Sequence, residues 1–99
     1  MDSLSQYVGI DVSKARLDVY IRPMGKTLKV KNAQLEIGDL VEEIKSYNIS
    51  LIIIEATGGL ETEAIIQLQA AQLPVALINP RQGRDFAKAT GKLACLRYN

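Results

Sequence analysis

Apolar and polar residues alternate along the first third of the chain, which is the pattern of β-strands that bury one face. Leu17, Val19 and Ile21 alternate with Asp18 and Tyr20. The connections between such runs are short, so the strands should pair as an antiparallel meander. We therefore predict three strands, over Tyr7–Val12, Arg16–Arg22 and Lys26–Lys31.

The apolar spacing changes to that of an amphipathic helix from Ile37 onward. The residues that repeat at this spacing are Ile37, Leu40, Val41 and Ile44, with charged residues on the other side. A continuous apolar run, Leu51–Ile54, comes next and is typical of a central strand covered on both faces. We predict a helix that packs on the sheet, followed by a buried strand.

A second helix and a last strand follow the break at Thr57-Gly58-Gly59. The helix ends near Leu73-Pro74, and its apolar face comprises Leu60, Ala64, Ile65, Leu68 and Ala71. Val75–Ile78 supplies the last strand. Asn79 and Pro80 then suit the start of a third helix, which ends at Gly91. The order βββαβαβα is that of the ribonuclease H architecture, an α/β fold with a mixed five-stranded sheet flanked by helices.

Length and composition narrow the class of protein. A chain of 99 residues with a net charge of +1 is one domain with no strong overall attraction for nucleic acid. One cysteine and no histidine leave neither an internal disulfide nor a Cys/His zinc site. The sequence shows neither a membrane span nor a signal peptide. We expect a soluble, cytoplasmic protein without a membrane partner.

Two carboxylates stand where apolar strands stop. Asp11 alternates away from Val8 and Ile10, and Glu55 follows the run that ends at Ile54. In an open α/β sheet this edge is where ligands bind, and carboxylate oxygens suit Mg²⁺ or Mn²⁺. An aspartate that caps a turn and a glutamate that is merely exposed would give the same pattern. The residues by themselves favour that structural interpretation.

Four other polar features have a structural and a functional interpretation. Thr57-Gly58-Gly59 resembles a phosphate cradle only faintly, and we expect a sharp turn that caps the next helix. Ser13 has no histidine base, so we expect a turn residue rather than a nucleophile. Asp18 is expected to be a surface charge. The basic residues at helical spacing, Arg81, Arg84 and Lys88, could be solvated or could line a nucleic-acid channel.

Three segments, in this order, resemble the N-terminal domain of the DEDD insertion-sequence transposases. They are Val8–Lys14, Glu55–Gly59 and Asn79–Gln82 continuing through Phe86–Gly91. The family is the IS-one-ten class, which includes the Piv-type DNA invertase and has a catalytic domain similar to RuvC Holliday-junction resolvases. The resemblance extends from about Tyr7 to Gly91 and implies a ribonuclease H-like nuclease domain.

The resemblance also implies a site and its partners. Asp11 and Glu55 match the first two members of the acidic tetrad, which binds Mg²⁺ or Mn²⁺ for DNA cleavage and strand exchange in transposition. DNA, a guide RNA from the element and a homo-oligomeric assembly are the implied partners. Lys14, Arg81, Arg84 and Lys88 become expected contacts to the nucleic-acid backbone.

The sequence departs from the family pattern after Gly91. The family continues into segments that supply the last two acids, and then into a C-terminal domain with a serine nucleophile, whereas this chain ends in residues 92–99. We therefore interpret residues 1–91 as a truncated domain and residues 92–99 as a tail outside the family pattern. Half of the metal site is missing, so we expect no efficient DNA cleavage by this chain alone.

Two other functions remain open. Actin-like and sugar-kinase-like ATPases also begin with a Gly-Ile-Asp strand, but their phosphate hairpin needs small residues where this chain has Val12–Arg16. ATP binding would identify such a fragment. A noncatalytic interaction module would show no response to metal and could still associate with itself through uncovered apolar surface.

Overall fold

The computed structural model describes residues 4–79, which contain five strands and two helices. The elements in chain order are β1 Gln6–Val12, β2 Arg16–Arg22, β3 Lys26–Lys31, α1 Gln34–Lys45, β4 Ile49–Glu55, α2 Thr62–Ala70 and β5 Val75–Ile78. This order is βββαβαβ. The predicted third helix, from Asn79 to Gly91, lies almost entirely outside the described residues.

The five strands form one mixed sheet in the order β3-β2-β1-β4-β5. β1, β2 and β3 pair antiparallel, as the short connections predicted, and β4 and β5 add parallel to β1. The predicted bounds of β2, β3 and β5 are confirmed. The arrangement agrees with the predicted α/β sheet and places the carboxyl ends of β1, β4 and β5 along one edge.

Both helices pack on the same face of the sheet and form one hydrophobic core with it. Each strand that contributes presents alternate residues to this face, as Val8 and Ile10 do in β1. The side chains that are fully buried there include Leu17, Val19, Ile21, Ile37, Ile44, Ile52, Ile54 and Leu68. Complete burial of a side chain of this size stabilises the fold by about 1.5–3 kcal/mol.

The opposite face of the sheet, which we call the open face, is not covered by α1 or α2. Tyr7 and Tyr20 are 47% and 41% exposed on it, and Leu51 and Ile53 are half-buried. The sequence predicted that β4 would be covered on both faces. Within residues 4–79 only one face of the sheet carries helices, because α1, between β3 and β4, and α2, between β4 and β5, both cross that face.

The pairing of β1 with β4 contains one irregularity. Gln6 pairs with Ile49 and Tyr7 pairs with Leu51, so β4 has one extra residue, Ser50, at this point. Beyond it the register is regular up to the pair Ile10–Ile54. The extra residue therefore decides which residues of β4 lie beside those of β1 at the far edge of the sheet.

Candidate functional site

Asp11 and Glu55 are brought to neighbouring positions at the carboxyl edge of the sheet. Ile10 and Ile54 are partners in the parallel pair of β1 and β4, and the two acids are the next residue on each strand. Neighbouring strands lie about 4.8 Å apart. Since Ile10 and Ile54 face the core, both acids project from the open face, where Asp11 is exposed and Glu55 is half-buried.

Asp18 adds a third carboxylate on the same face. It pairs with Asp11 across the antiparallel strands β1 and β2, and Arg16 Nε lies 3.4 Å from its Oδ1. Like charges directly opposite each other on a sheet repel, and the arginine offsets only part of this. Asp18 was expected to be a surface charge, and it is half-buried and ion-paired.

The chemistry of the two acids suits a divalent cation. Carboxylate oxygens are the ligands that Mg²⁺ and Mn²⁺ prefer. A cation between β1 and β4 would offset the repulsion between the carboxylates of Asp11 and Glu55. From residue 4 to residue 79, no group of three or more acidic, histidine or cysteine side chains is close enough to hold a metal. An ion held by Asp11 and Glu55 would therefore need its remaining ligands from water or from other groups.

The turn that follows Asp11 is held by Ser13. The Ser13 hydroxyl accepts a hydrogen bond from Arg16 N at 3.1 Å and donates one to Arg16 O at 3.0 Å, and Ser13 N donates to Arg16 O at 2.9 Å. Ser13 thus has the turn role that the sequence favoured. Lys14 is exposed at the tip of this turn, close along the chain to Asp11.

The turn that follows Glu55 is held by a buried carboxylate, Glu61. Its Oε1 accepts hydrogen bonds from Thr57 N at 2.9 Å, Thr57 Oγ1 at 2.8 Å and Gly59 N at 3.2 Å. The bonds from Thr57 hold the pKa of Glu61 below its ordinary value. Gly58 and Gly59 have φ angles of 71° and 105°, which only glycine adopts readily.

These contacts bear on two predictions for the segment Thr57-Gly58-Gly59, the helix cap and the phosphate cradle. Thr57 does not cap α2: the residue at the cap position is Glu61, and the Thr57 hydroxyl donates to Glu61 because it lies too far before the helix. The sharp glycine turn itself is confirmed. Thr57 N and Gly59 N already donate to a carboxylate, so the segment does not offer these amides to a phosphate.

Asn32 connects the two turns. Its Nδ2 donates to Ser13 O at 2.9 Å and to Leu60 O at 3.1 Å, and its backbone N donates to Ala15 O at 3.1 Å. Sequence reasoning identified neither Asn32 nor Glu61. Thr57 and Glu61 stand four residues apart before a helix, one residue more than in a capping box, and this pair could have drawn attention to Glu61; the sequence carries no corresponding signal for Asn32.

The expected nucleic-acid contacts are only partly placed. Lys14 lies beside the acid pair along the chain, whereas Arg81, Arg84 and Lys88 lie outside the described residues. Neither helix of the described region has the length and apolar character that crossing a lipid bilayer requires.

Comparisons with known proteins give a fold. No protein-family model matches the chain, and no curated protein sequence matches it. Among solved structures the chain is similar to T. thermophilus RuvC in complex with Holliday junction substrate, with a TM-score of 0.63 and 15% sequence identity. The alignment covers 95% of this chain and 77% of the RuvC chain. The chain thus has a RuvC-like ribonuclease H fold, which confirms the fold class that the order of elements and the family resemblance predicted.

Proposed function

We propose that this chain is the N-terminal domain of a DEDD insertion-sequence transposase, a DNA recombinase that depends on Mg²⁺ or Mn²⁺. Asp11 and Glu55 bind the metal, and Lys14 contacts the nucleic-acid backbone. The proposed domain comprises residues 1–91. The family resemblance adds a guide RNA and a homo-oligomeric assembly to the proposed partners.

One observation carries the proposal: the register of β1 and β4 places Asp11 and Glu55 side by side on the open face. Two acids that follow apolar strands could have projected from opposite faces or from distant positions. Their placement at the carboxyl edge of a RuvC-like fold agrees with a metal site that acts on a phosphodiester. The RuvC chain to which this chain is similar was solved with Holliday junction substrate.

The residues of the site have distinct roles in this proposal. A bound divalent ion would polarise the phosphate and activate the attacking hydroxyl. Asp11 and Glu55 supply negatively charged oxygen ligands and fix the ion at the sheet edge. Lys14, exposed on the turn that follows Asp11, would neutralise a backbone phosphate near that edge.

Mn²⁺ binding, followed by calorimetry and by electron paramagnetic resonance, tests the metal site. Asp11→Asn and Glu55→Gln should each weaken binding by at least about tenfold, since even partners outside the ligand shell cost 10–100-fold. Asp39→Asn, an exposed acid on α1, is the matched control and should leave binding unchanged. Equal affinities for the wild-type chain, Asp11→Asn and Glu55→Gln would refute the proposal.

Binding to a four-way DNA junction tests the nucleic-acid partner. A gel-shift titration should show weaker binding by Lys14→Gln, with a smaller dependence on salt because one phosphate contact is lost. Lys45→Gln, in the last turn of α1, is the control of equal charge. Junction binding that is the same in both variants would remove Lys14 from the proposed interface.

A further inference from the structure

We propose that Asn32 is a positioning residue that maintains the separation of Asp11 and Glu55, which the pairing of β1 with β4 establishes, by joining the turns that follow them. This inference rests on the proposed metal site. Asn32 lies directly after β3, and its side-chain amide donates a hydrogen bond to a backbone carbonyl of each turn. Asn32 therefore acts on the two acids through the backbone of the turns.

The geometry forms a closed path between the two acids. From Asp11 the chain leads through Val12 to Ser13, whose carbonyl accepts from Asn32 Nδ2 at 2.9 Å. The same Nδ2 also donates a hydrogen bond to Leu60 O at 3.1 Å. From Leu60 the path returns to Glu55 through the turn 56–59.

Hydrogen bonds also hold the part of this path that leads from Leu60 back to Glu55. Glu61 fixes Thr57 and Gly59 with one carboxylate oxygen, and Ala56 N donates to Ile78 O at 2.7 Å. Glu55 is therefore held by β-sheet pairing on one side and by a fixed turn on the other. Asp11 is likewise held by its pairing with Asp18 of β2, and the turn that follows β1 is held by Ser13 and Asn32.

The amide of asparagine suits this position because it carries two N–H donors on one atom. Each donor meets a different backbone carbonyl, and those carbonyls belong to segments far apart in the sequence. A side chain without donors would leave both carbonyls to water, and the turns could then move independently. A hydroxyl can donate only one hydrogen bond and could join only one turn at a time.

The metal arm of the test compares Asn32→Leu with Gln67→Met, by Mn²⁺ titration at a temperature where both are folded. Gln67 is the matched control because its half-buried amide also donates two hydrogen bonds, one to Gln34 O of α1 at 2.9 Å and one to Glu63 Oε2 within α2 at 2.7 Å, and neither bond reaches the two turns. Asn32→Leu should weaken Mn²⁺ binding by about tenfold or more, as loss of a supporting contact does in metal sites. Gln67→Met should change it by less than about twofold, although it loses comparable bonds.

Asn32→Ser provides a milder variant should Asn32→Leu fold poorly. The serine can donate one hydrogen bond, so its affinity for Mn²⁺ should lie between those of the wild type and Asn32→Leu. Equal weakening by Asn32→Leu and Gln67→Met would mean that the effect follows general destabilisation, and the inference would be wrong.

A second arm measures the separation of the turns without metal. Nitroxide labels at Lys14→Cys and Leu60→Cys, in a Cys95→Ser background, report the distance between the turns by electron paramagnetic resonance. Asn32→Leu should lengthen and broaden the distance distribution, and Gln67→Met should not. An unchanged distribution overturns the inference, and so does a changed distribution with unchanged metal affinity.

The two arms separate this inference from the proposed function. If Asp11→Asn binds Mn²⁺ as the wild type does, the proposed metal site is wrong, and so is a role for Asn32 in positioning it. If Asp11→Asn loses binding but Asn32→Leu behaves as Gln67→Met does, only the role of Asn32 is wrong.

Discussion

Removal of the Glu61 carboxylate should lower the free energy of unfolding by more than is usual for a side chain outside the hydrophobic core. Glu61 is only 8% exposed, and its Oε1 accepts three hydrogen bonds from the turn that follows Glu55. In Glu61→Ala, Thr57 N, Thr57 Oγ1 and Gly59 N all lose their acceptor. Glu61→Gln keeps an oxygen at this position but removes the charge.

The magnitude follows from the number and type of these bonds. A hydrogen bond to a charged group contributes about 1.5–3 kcal/mol, and water can replace part of it at a half-exposed turn. Taking about 1 kcal/mol for each bond, Glu61→Ala should cost about 3 kcal/mol. Charge-assisted bonds are roughly twice as strong as neutral ones, so Glu61→Gln should cost about 1.5 kcal/mol. For a domain stable by roughly 5–15 kcal/mol, the alanine variant loses a substantial share.

Urea unfolding followed by circular dichroism measures the effect. At a slope of roughly 1–2 kcal/mol per molar, Glu61→Ala should move the midpoint down by about 2 M. Glu42→Gln is the control, since Glu42 is exposed and forms a surface ion pair with Lys45. If the midpoint of Glu61→Ala moved no further than that of Glu42→Gln, the contacts assigned to this carboxylate would contribute no stability.

The pH dependence gives a second check. The pKa of Glu61 is lowered in the folded protein from its ordinary value of 4.5, mainly by the Thr57 hydrogen bonds. A group with a lowered pKa stabilises the fold above the unfolded value and loses that contribution as pH falls through the folded value. The stability difference between the wild type and Glu61→Gln should therefore be full at pH 7 and shrink progressively below about pH 4.5. A difference that stays constant down to pH 2 would contradict this assignment.

Three further predictions concern the core, the glycines and the acids. Ile54→Ala empties a fully buried position on the central strand and should lower the free energy of unfolding by about 2–5 kcal/mol in urea titrations. Gly59→Ala should cost about 1–2 kcal/mol because of its φ of 105°, whereas Gly9→Ala, with open space around the added methyl group, should be neutral or slightly stabilising by thermal unfolding. Asp11→Asn should raise stability without metal by roughly 0.2–1 kcal/mol at low salt, because it relieves repulsion from Asp18, and the gain should fade at high salt. A loss of stability in Asp11→Asn would indicate that another contact of this carboxylate outweighs the repulsion.

The strands were the part of the fold that the sequence predicted best. Alternation and short turns gave the bounds of β2 and β3 because an alternating apolar pattern has a sharp beginning and end. Helix ends were less clear. α1 begins at Gln34, before its first buried residue at Ile37, because Leu35 in the first turn is exposed and does not extend the apolar periodicity of the buried face.

The acidic pair was predictable because strand ends are visible in the sequence and parallel strands share an edge. The role of this acidic pair in binding metal remains a prediction. Asn32 and Glu61 were not found because their hydrogen bonds depend on how distant turns meet, and no periodicity records that. The apolar spacing from Leu60 to Ala71 also predicted a longer second helix than Thr62–Ala70, because Leu60 belongs to the turn that Asn32 contacts.

The extra residue at Ser50 has a consequence for how this protein could lose its function. β4 contains a run of four apolar residues, Leu51–Ile54. A shift of β4 by one residue would therefore still present apolar side chains to both helices. The slipped form would turn Glu55 toward the helices and leave Asp11 alone at the edge. Each strand residue advances by about 3.3 Å, so an insertion or deletion near Ser50 changes which residues stand at the carboxyl edge of the sheet, about 16 Å away. Such a variant could purify as a folded protein with every motif intact, and only a titration with metal would reveal the defect.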